Sequence, residues 1–211
     1  MRVPQTLRDL DPHGWILQAG SYVSIGDEVI RDARIGPDLL SYVVAKLEEL
    51  GIDAEFESNT SLLGFYPTAA KPRYPNFPAA RDAEGFLAAA QQLPLAKFCV
   101  HDFSKVRITE LLEALNSHFE SCDLTHDVLE FSLPGCTKGS AIRAVLAHLG
   151  YDGVGTYAFG DSENDLSMAE AVDCFIALGN ALEQVKERAD YVALPVWQDG
   201  VPAALRYFGL I

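Results

Sequence analysis

The 211-residue chain is 49% hydrophobic and 22% charged. That is the composition of an ordinary globular protein with one large domain or two small ones, and it excludes intrinsic disorder. An excess of 30 Asp and Glu over 16 Lys and Arg leaves a net charge of −14, which argues against a nucleic-acid or anionic-membrane partner, although one lysine and a metal ion can still draw in a small anionic substrate.

In chain order, Trp15-Ile16-Leu17 predicts a short strand, closed by Ala19-Gly20. Residues 21–35 predict a hairpin, with Tyr22-Val23-Ser24 and Val29-Ile30 as its arms and Gly26-Asp27 as its turn. A helix follows: Pro37 suits its first turn, Leu39, Leu40, Val43, Val44, Leu47 and Leu50 form one apolar face, and Gly51 stops it. Ile52 to Ser58 alternates Ile52, Ala54 and Phe56 with Asp53, Glu55 and Glu57, the pattern of a strand with one solvated face.

Residues 67–82, with Pro67, Pro72, Pro75 and Pro78, read as an irregular loop in which Lys71, Arg73 and Tyr74 are candidates for ligand contact but read chiefly as solvated. Then come a short helix over 84–92, a strand from Leu95 to His101, and an amphipathic helix marked by Ile108, Leu111, Leu112, Leu115 and Phe119. Leu124 to Phe131 predicts a closing strand.

Beyond Pro134-Gly135 the texture changes. A helix from Lys138 to Leu149 precedes an apolar strand, Gly155 to Phe159, that ends at Gly160-Asp161. A helix over 165–172, a strand Cys174 to Leu178, a helix over 181–188 and a strand Tyr191 to Leu194 complete the series. Short apolar strands alternating with helices predict a parallel sheet, which gathers ligands at the carboxyl ends of its strands.

Cys99, Cys122, Cys136 and Cys174 are widely spaced and form neither CxxC nor Cys/His patterns. They predict no disulfide framework or zinc site and suit a reducing cytoplasm. No apolar run has the length of a membrane span, and Met1 to Gln5 lacks a signal-peptide core. The expected location is therefore cytoplasmic. His13, His101, His118, His126 and His148 are scattered and form no catalytic pattern, with His148 expected to face solvent.

The chemistry concentrates in Gly160-Asp161-Ser162-Glu163-Asn164-Asp165. Asp161 falls at the end of a strand and Asp165 one helical turn later, so both carboxylates can face one point. Magnesium takes one or two carboxylates, with water and phosphate completing its shell. The plainer reading is an acidic turn in which Asp161 or Ser162 caps a helix. Thr137-Lys138-Gly139-Ser140 at a helix start offers free N–H groups and one full positive charge to an anion. By itself that segment is more often only a cap; its weight comes from lying one βα unit before the acidic loop. Trp197, on the segment leading to Asp199-Gly200, is a candidate to close the rim of such a site but reads chiefly as a packing residue.

Together these two segments resemble the third and fourth motifs of the haloacid dehalogenase (HAD) superfamily. Gly179-Asn180-Ala181, Val185-Lys186, Ala189-Asp190-Tyr191-Val192 and Asp199-Gly200-Val201 are similar to the tail of its Cof-type phosphatases. The resemblance covers residues 132–211 closely and 15–131 more loosely. It implies an α/β fold: a Rossmann-like parallel-sheet core with an inserted α/β (C2B) cap. The expected division is 1–20 as a remnant of the N-terminal core, 21–134 as the cap, and 135–211 as the C-terminal part of the core.

It further implies Mg2+-dependent hydrolysis of small phosphorylated metabolites, sugar phosphates or similar, through an aspartyl-phosphate. Lys138 and Asp165 would be catalytic, Lys138 and Asn164 would bind the substrate phosphate, Asp161 and Asp165 would hold the metal, and Asp165 would also orient these groups from close by. The family's Asp-x-Asp-Gly-Thr motif, which supplies the nucleophile, has no match here; Asp9-Leu10-Asp11 is followed by Pro12-His13-Gly14 and no buried strand precedes it. A chain lacking its N-terminal portion, and inactive by itself, is the expectation. The rival is a non-catalytic phosphate-ligand-binding or interaction module.

Overall fold

The structure, a computed structural model, describes residues 3–69, 72–101, 105–125 and 128–211. Met1, Lys71 and His126, named above, lie outside the described residues. The chain divides into two compact units, Met1–Cys136 and Thr137–Ile211.

In the first unit a short helix α1 (Gln5–Arg8) precedes strands β1 (Gly14–Leu17), β2 (Tyr22–Ile25) and β3 (Glu28–Asp32), which form an antiparallel sheet in that order. Gly26, at φ 53°, turns the expected hairpin. Because β1 pairs with β2, residues on both sides of position 20 share one sheet.

Helix α2 (Pro37–Leu50) has Pro37 in its first turn and a left-handed Gly51 cap at φ 59°. Its buried side chains are Leu40, Val43, Val44 and Leu47. Strands β4 (Ala54–Glu57), β5 (Leu62–Phe65) and β6 (Ala79–Ala80), helix α3 (Ala83–Ala90), strand β7 (Lys97–His101), helix α4 (Lys105–Leu115) and strands β8 (Glu120–Thr125) and β9 (Val128–Ser132) complete the unit. The larger sheet runs β6-β5-β4-β7-β9-β8.

Its core lies between one sheet face and helices α2, α3 and α4. A row of fully buried phenylalanines crosses the strands there. Phe56 meets Phe86 at 4.7 Å between ring centroids and Phe98 at 4.9 Å, and Phe98 stacks on Phe131 at 4.7 Å. Each such ring contributes roughly 1.5–3 kcal/mol by leaving water, with about 0.5–1.5 kcal/mol more per ring pair.

Among the described residues of this unit the structure departs from sequence expectation in several elements, the unexpected α1 among them. β5 pairs with β4 in a stretch left unassigned, because Leu62-Leu63-Gly64-Phe65 is buried throughout and shows no alternation. The Pro-rich loop contains β6, which pairs parallel to β5. The single closing strand is instead two, β8 and β9, paired antiparallel. Finally, the polar side of β4 is not solvated.

Glu55 is only 3% exposed; Tyr66 donates its hydroxyl hydrogen to Glu55 Oε1 at 2.8 Å, and His101 Nε2 lies 2.8 Å from Glu55 Oε2. Arg73 is exposed, as expected, with its Nε 3.9 Å from Glu55. One register step away, Lys97 bridges Glu130, to which it donates a short hydrogen bond, and Glu57 at 3.4 Å. Burial, and then the Glu55 carboxylate, raise the Tyr66 phenol above its usual pKa.

The second unit begins with α5 (Lys138–Leu149). Strands β10 (Tyr157–Gly160), β11 (Cys174–Ala177) and β12 (Tyr191–Val192) pair parallel in sequence order. Helices α6 (Glu183–Arg188) and α7 (Gly200–Tyr207) complete it. Alternation along the strands sends Ala158, Phe175 and Ala177 into one core with Met168 and Val185, while Ile176 packs with Ala193 and Ala204 in the other. The helix expected over 165–172 is a shorter 3-10 turn, Glu163–Met168, and α7 was not expected at all. Among the described residues, no helix is long and apolar enough to cross a membrane.

Candidate functional site

The parallel register of β10 and β11 sets Gly160 opposite Ala177, so the chain leaves both strands at the same edge. Gly160 is needed there: a Cβ on it would lie 2.6 Å from the Asp165 Cβ. That absence lets the turn after β10 fold back until the Asp165 side chain rests on the strand end.

Asp165 is 4% exposed, and both of its oxygens are engaged. Oδ2 accepts the backbone N–H of Asp161 at 2.9 Å and of Ser162 at 3.1 Å, and the Ser162 hydroxyl at 3.3 Å. Oδ1 accepts Lys138 Nζ at 2.5 Å. A buried carboxylate needs such donors, since desolvation otherwise disfavours the charged form. Ser162 is the residue that caps the turn, as the plainer reading had it, but the capping carboxylate also fixes the lysine.

Lys138 comes to this point because α5 starts there. Thr137 and Ser140 make a reciprocal capping box: Ser140 N–H donates to Thr137 Oγ1 at 3.0 Å and Thr137 N–H to Ser140 Oγ at 3.1 Å. Gly139 N–H donates to Ser167 Oγ at 3.1 Å, joining α5 to the Glu163–Met168 turn. The four side chains singled out from sequence, Lys138, Asp161, Asn164 and Asp165, are therefore carried by one unit. Asp165 directly joins Lys138 to the backbone of Asp161; Asn164 Oδ1 accepts from the Ser162 hydroxyl at 3.0 Å.

Asp161 differs from Asp165. Its side chain is exposed, and its hydrogen-bond partner is Asn180, whose Nδ2 lies 3.3 Å from Asp161 Oδ2. Asn180, Ser162 and Ser167 were not read as site residues; the only sequence signal for Asn180 was the Gly179-Asn180-Ala181 triplet. Trp197, read as packing, is 71% exposed. His148 is exposed, as expected.

Two carboxylates against one ammonium leave this edge of the sheet negative. A phosphate dianion is repelled from such a place until a divalent cation joins it. Among the described residues, no three His, Cys, Asp or Glu side chains gather to hold a metal by protein ligands alone. One exposed carboxylate with a second behind it is a hard oxygen set, and it fits magnesium, which keeps several waters and takes few protein ligands.

Known proteins bear on this geometry. The family described as haloacid dehalogenase-like hydrolase matches residues 3–205. A putative phosphatase of Bacillus subtilis, YkrA, is 43% identical over 89 residues, which are 42% of this chain and 34% of YkrA. The 5-amino-6-(5-phospho-D-ribitylamino)uracil phosphatase YcsE, also of B. subtilis, is 35% identical over 103 residues, 48% of this chain and 41% of YcsE. The chain thus covers less than half the length of these two relatives. The solved structure of the HAD subclass IIB sugar phosphatase BT4131 superposes with a TM-score of 0.81 at 24% identity, over 98% of this chain and 80% of that one, a likeness that establishes the fold.

Proposed function

The chain belongs to the haloacid dehalogenase-like hydrolase family, and we propose on that premise that its second unit carries the metal- and phosphate-binding part of a Mg2+-dependent phosphatase for small phosphorylated metabolites. The observation that supports this is the arrangement at the sheet edge: an exposed Asp161, and a Lys138 held by a buried Asp165 that also grips the two backbone N–H groups after β10.

In this reading Asp161 is the direct ligand of magnesium, which when bound would neutralise phosphoryl oxygens. Asp165 stands behind it, keeping the turn closed and the Lys138 ammonium in place. Lys138 binds the phosphate and, with Asn164, orients it. The work of these residues is positioning and charge neutralisation, the main needs of phosphoryl transfer. A reducing cytoplasm suits the four free cysteines.

A second reading, a non-catalytic phosphate-binding module, has one observation in its favour. Asp165 has both oxygens engaged by Lys138 and by N–H groups, so it is not poised to attack a phosphoryl group. Turnover then requires another carboxylate beside the cluster, and the proposal is that residues 1–211 bind metal and phosphate without hydrolysing the ester.

The experiment is a Mg2+ titration of the wild type and Asp161→Asn by calorimetry, with a para-nitrophenyl phosphate assay of both. The proposal expects weaker binding in the variant and background turnover in both. Equal affinity would remove Asp161 from the metal site. Turnover abolished by Asp161→Asn would show that a residue within this chain attacks.

A further inference from the structure

The triplet after β11 brings a side chain to Asp161 that nothing in the proposed reaction yet uses. Leu178 N–H donates to Gly160 O at 3.0 Å and Leu182 N–H to Asp161 O at 3.0 Å. The first continues the pairing of β10 and β11 past the strand ends, and the second ties the chain beyond Asn180 back to Asp161; together they set Asn180 beside Asp161.

The orientation of the Asn180 amide follows from its other partner. Val196 N–H points at one end of it at 2.9 Å. A backbone N–H can only donate, so that end is the carbonyl oxygen, and the group facing Asp161 Oδ2 at 3.3 Å is the NH2. Asn180 is thus a donor to a carboxylate, with its direction set from behind.

The segment behind is itself closely seated. A Cβ on Gly179 would lie 2.7 Å from Pro195, and one on Gly200 would lie 1.9 Å from the carbonyl oxygen of Leu194. Asp199 takes φ 53° between them, a conformation costly for a residue with a Cβ. The backbone that presents Val196 N–H therefore has little room to shift, and the amide it holds has little room to rotate.

Resting on the reading of Asp161 as the magnesium ligand, we propose that Asn180 is the positioning residue of that carboxylate. By donating to Oδ2 it holds the exposed side chain in one rotamer and turns Oδ1, which accepts no hydrogen bond from the described residues, toward the cation. An exposed aspartate otherwise samples several rotamers, and the entropy of ordering it would be lost on every binding event. Partners of this kind, one step behind a metal ligand, typically change metal affinity about 10–100-fold when removed.

The test uses Mn2+ as the probe, with free ion followed by electron paramagnetic resonance, on the 211-residue chain. Asn180→Ala and Asn180→Leu, the second keeping the bulk, are made in the wild type and in Asp161→Asn. The inference expects about a tenfold or greater weakening in the wild-type background and less than about a twofold change in the Asp161→Asn background, because a residue acting through Asp161 has nothing left to act on. A weakening that persists undiminished without the Asp161 carboxylate would overturn it in favour of a merely structural role. Wild-type affinity in both Asn180 variants, with Asp161→Asn weakened, would overturn the inference alone. Mn2+ affinity unchanged by Asp161→Asn would overturn the underlying metal reading and the inference with it.

Discussion

Gly139 lies directly against Ser167: a Cβ on the glycine would come within 1.9 Å of the Ser167 carbonyl oxygen, which is backbone and cannot swing away. This contact sets how closely α5 approaches the Glu163–Met168 turn, and hence whether Lys138 reaches Asp165. Gly139→Ala should push the helix off the turn and cost about 1–3 kcal/mol, as overpacking does. A lower melting temperature together with weaker binding of inorganic phosphate would bear this out; unchanged values for both would show that the turn yields freely.

Asp165→Asn tests the buried carboxylate. The amide keeps the shape but removes the charge that Lys138 and two N–H groups share. Hydrogen bonds to a charged group are worth about 1.5–3 kcal/mol each, so a loss in that range is expected. Urea denaturation of the two proteins gives the difference; a variant within about 0.5 kcal/mol of wild type, the usual scatter for inconsequential substitutions, would refute it.

Lys97 occupies the sheet face turned away from the phenylalanine row, with its side chain 11% exposed between Glu130 and Glu57. Lys97→Met leaves buried Glu130 and partly buried Glu57 without their cation and should cost about 3–5 kcal/mol. The pH behaviour has a definite sign. Burial pulls the Lys97 pKa down, but Glu57, Cys99 and Glu130 together outweigh it and raise it above the usual value. A raised lysine pKa stabilises fully below the unfolded value of about 10.4 and is lost only as pH climbs through the folded value. The difference between wild type and Lys97→Met should therefore stay constant from about pH 6 to pH 9 in urea titrations; a decline within that window would contradict the assignment.

Cys99 gives a chemical readout of the same face. Burial pushes its thiol up to about 12, against the pull of Lys97 and with the help of Glu57, Glu130 and Glu55. The thiolate is the reactive form, so Cys99 should resist N-ethylmaleimide at about pH 8, below its pKa by several units. Half-buried Cys122 and Cys174 should label ahead of it. Peptide mapping by mass spectrometry after timed labelling decides this, with full labelling in denaturant as the control; early modification of Cys99 would mean that this face opens in the native state.

Much of the local structure was legible in the residues because its causes are local. Pro37, the apolar spacing from Leu40 to Leu47, and Gly51 each act within a few residues, and α2 follows them in the structure. The short apolar strands of the second unit likewise predict the parallel pairing of β10, β11 and β12. The spacing of Asp161 and Asp165 and the position of Lys138 at a helix start pointed to residues that one unit carries, with Asp165 bonded to Lys138 and to the backbone of Asp161. Where the pattern carried no period, as in Leu62-Leu63-Gly64-Phe65, burial on both faces erased the signal and β5 went unread.

Only the tertiary structure could decide the rest, because partners far apart in sequence made the difference. Glu55 reads from the alternation as the wet side of a strand; it is buried with Lys97 and Glu130 because β4, β7 and β9 bring opposite charges and Tyr66 across one face. The resemblance gives Asp165 both a place at the metal and a role in orienting its neighbours; its two oxygens meet Lys138 and two N–H groups, which supports the orienting role as a proposal. Asn180 faces Asp161 through the register of two parallel strands, and its amide direction depends on the N–H of Val196. Sequence determined which groups were available and which elements they sit on; strand register, and the missing Cβ atoms of Gly139 and Gly160, decided which groups meet, since close approach and charge pairing act through space and not along the chain.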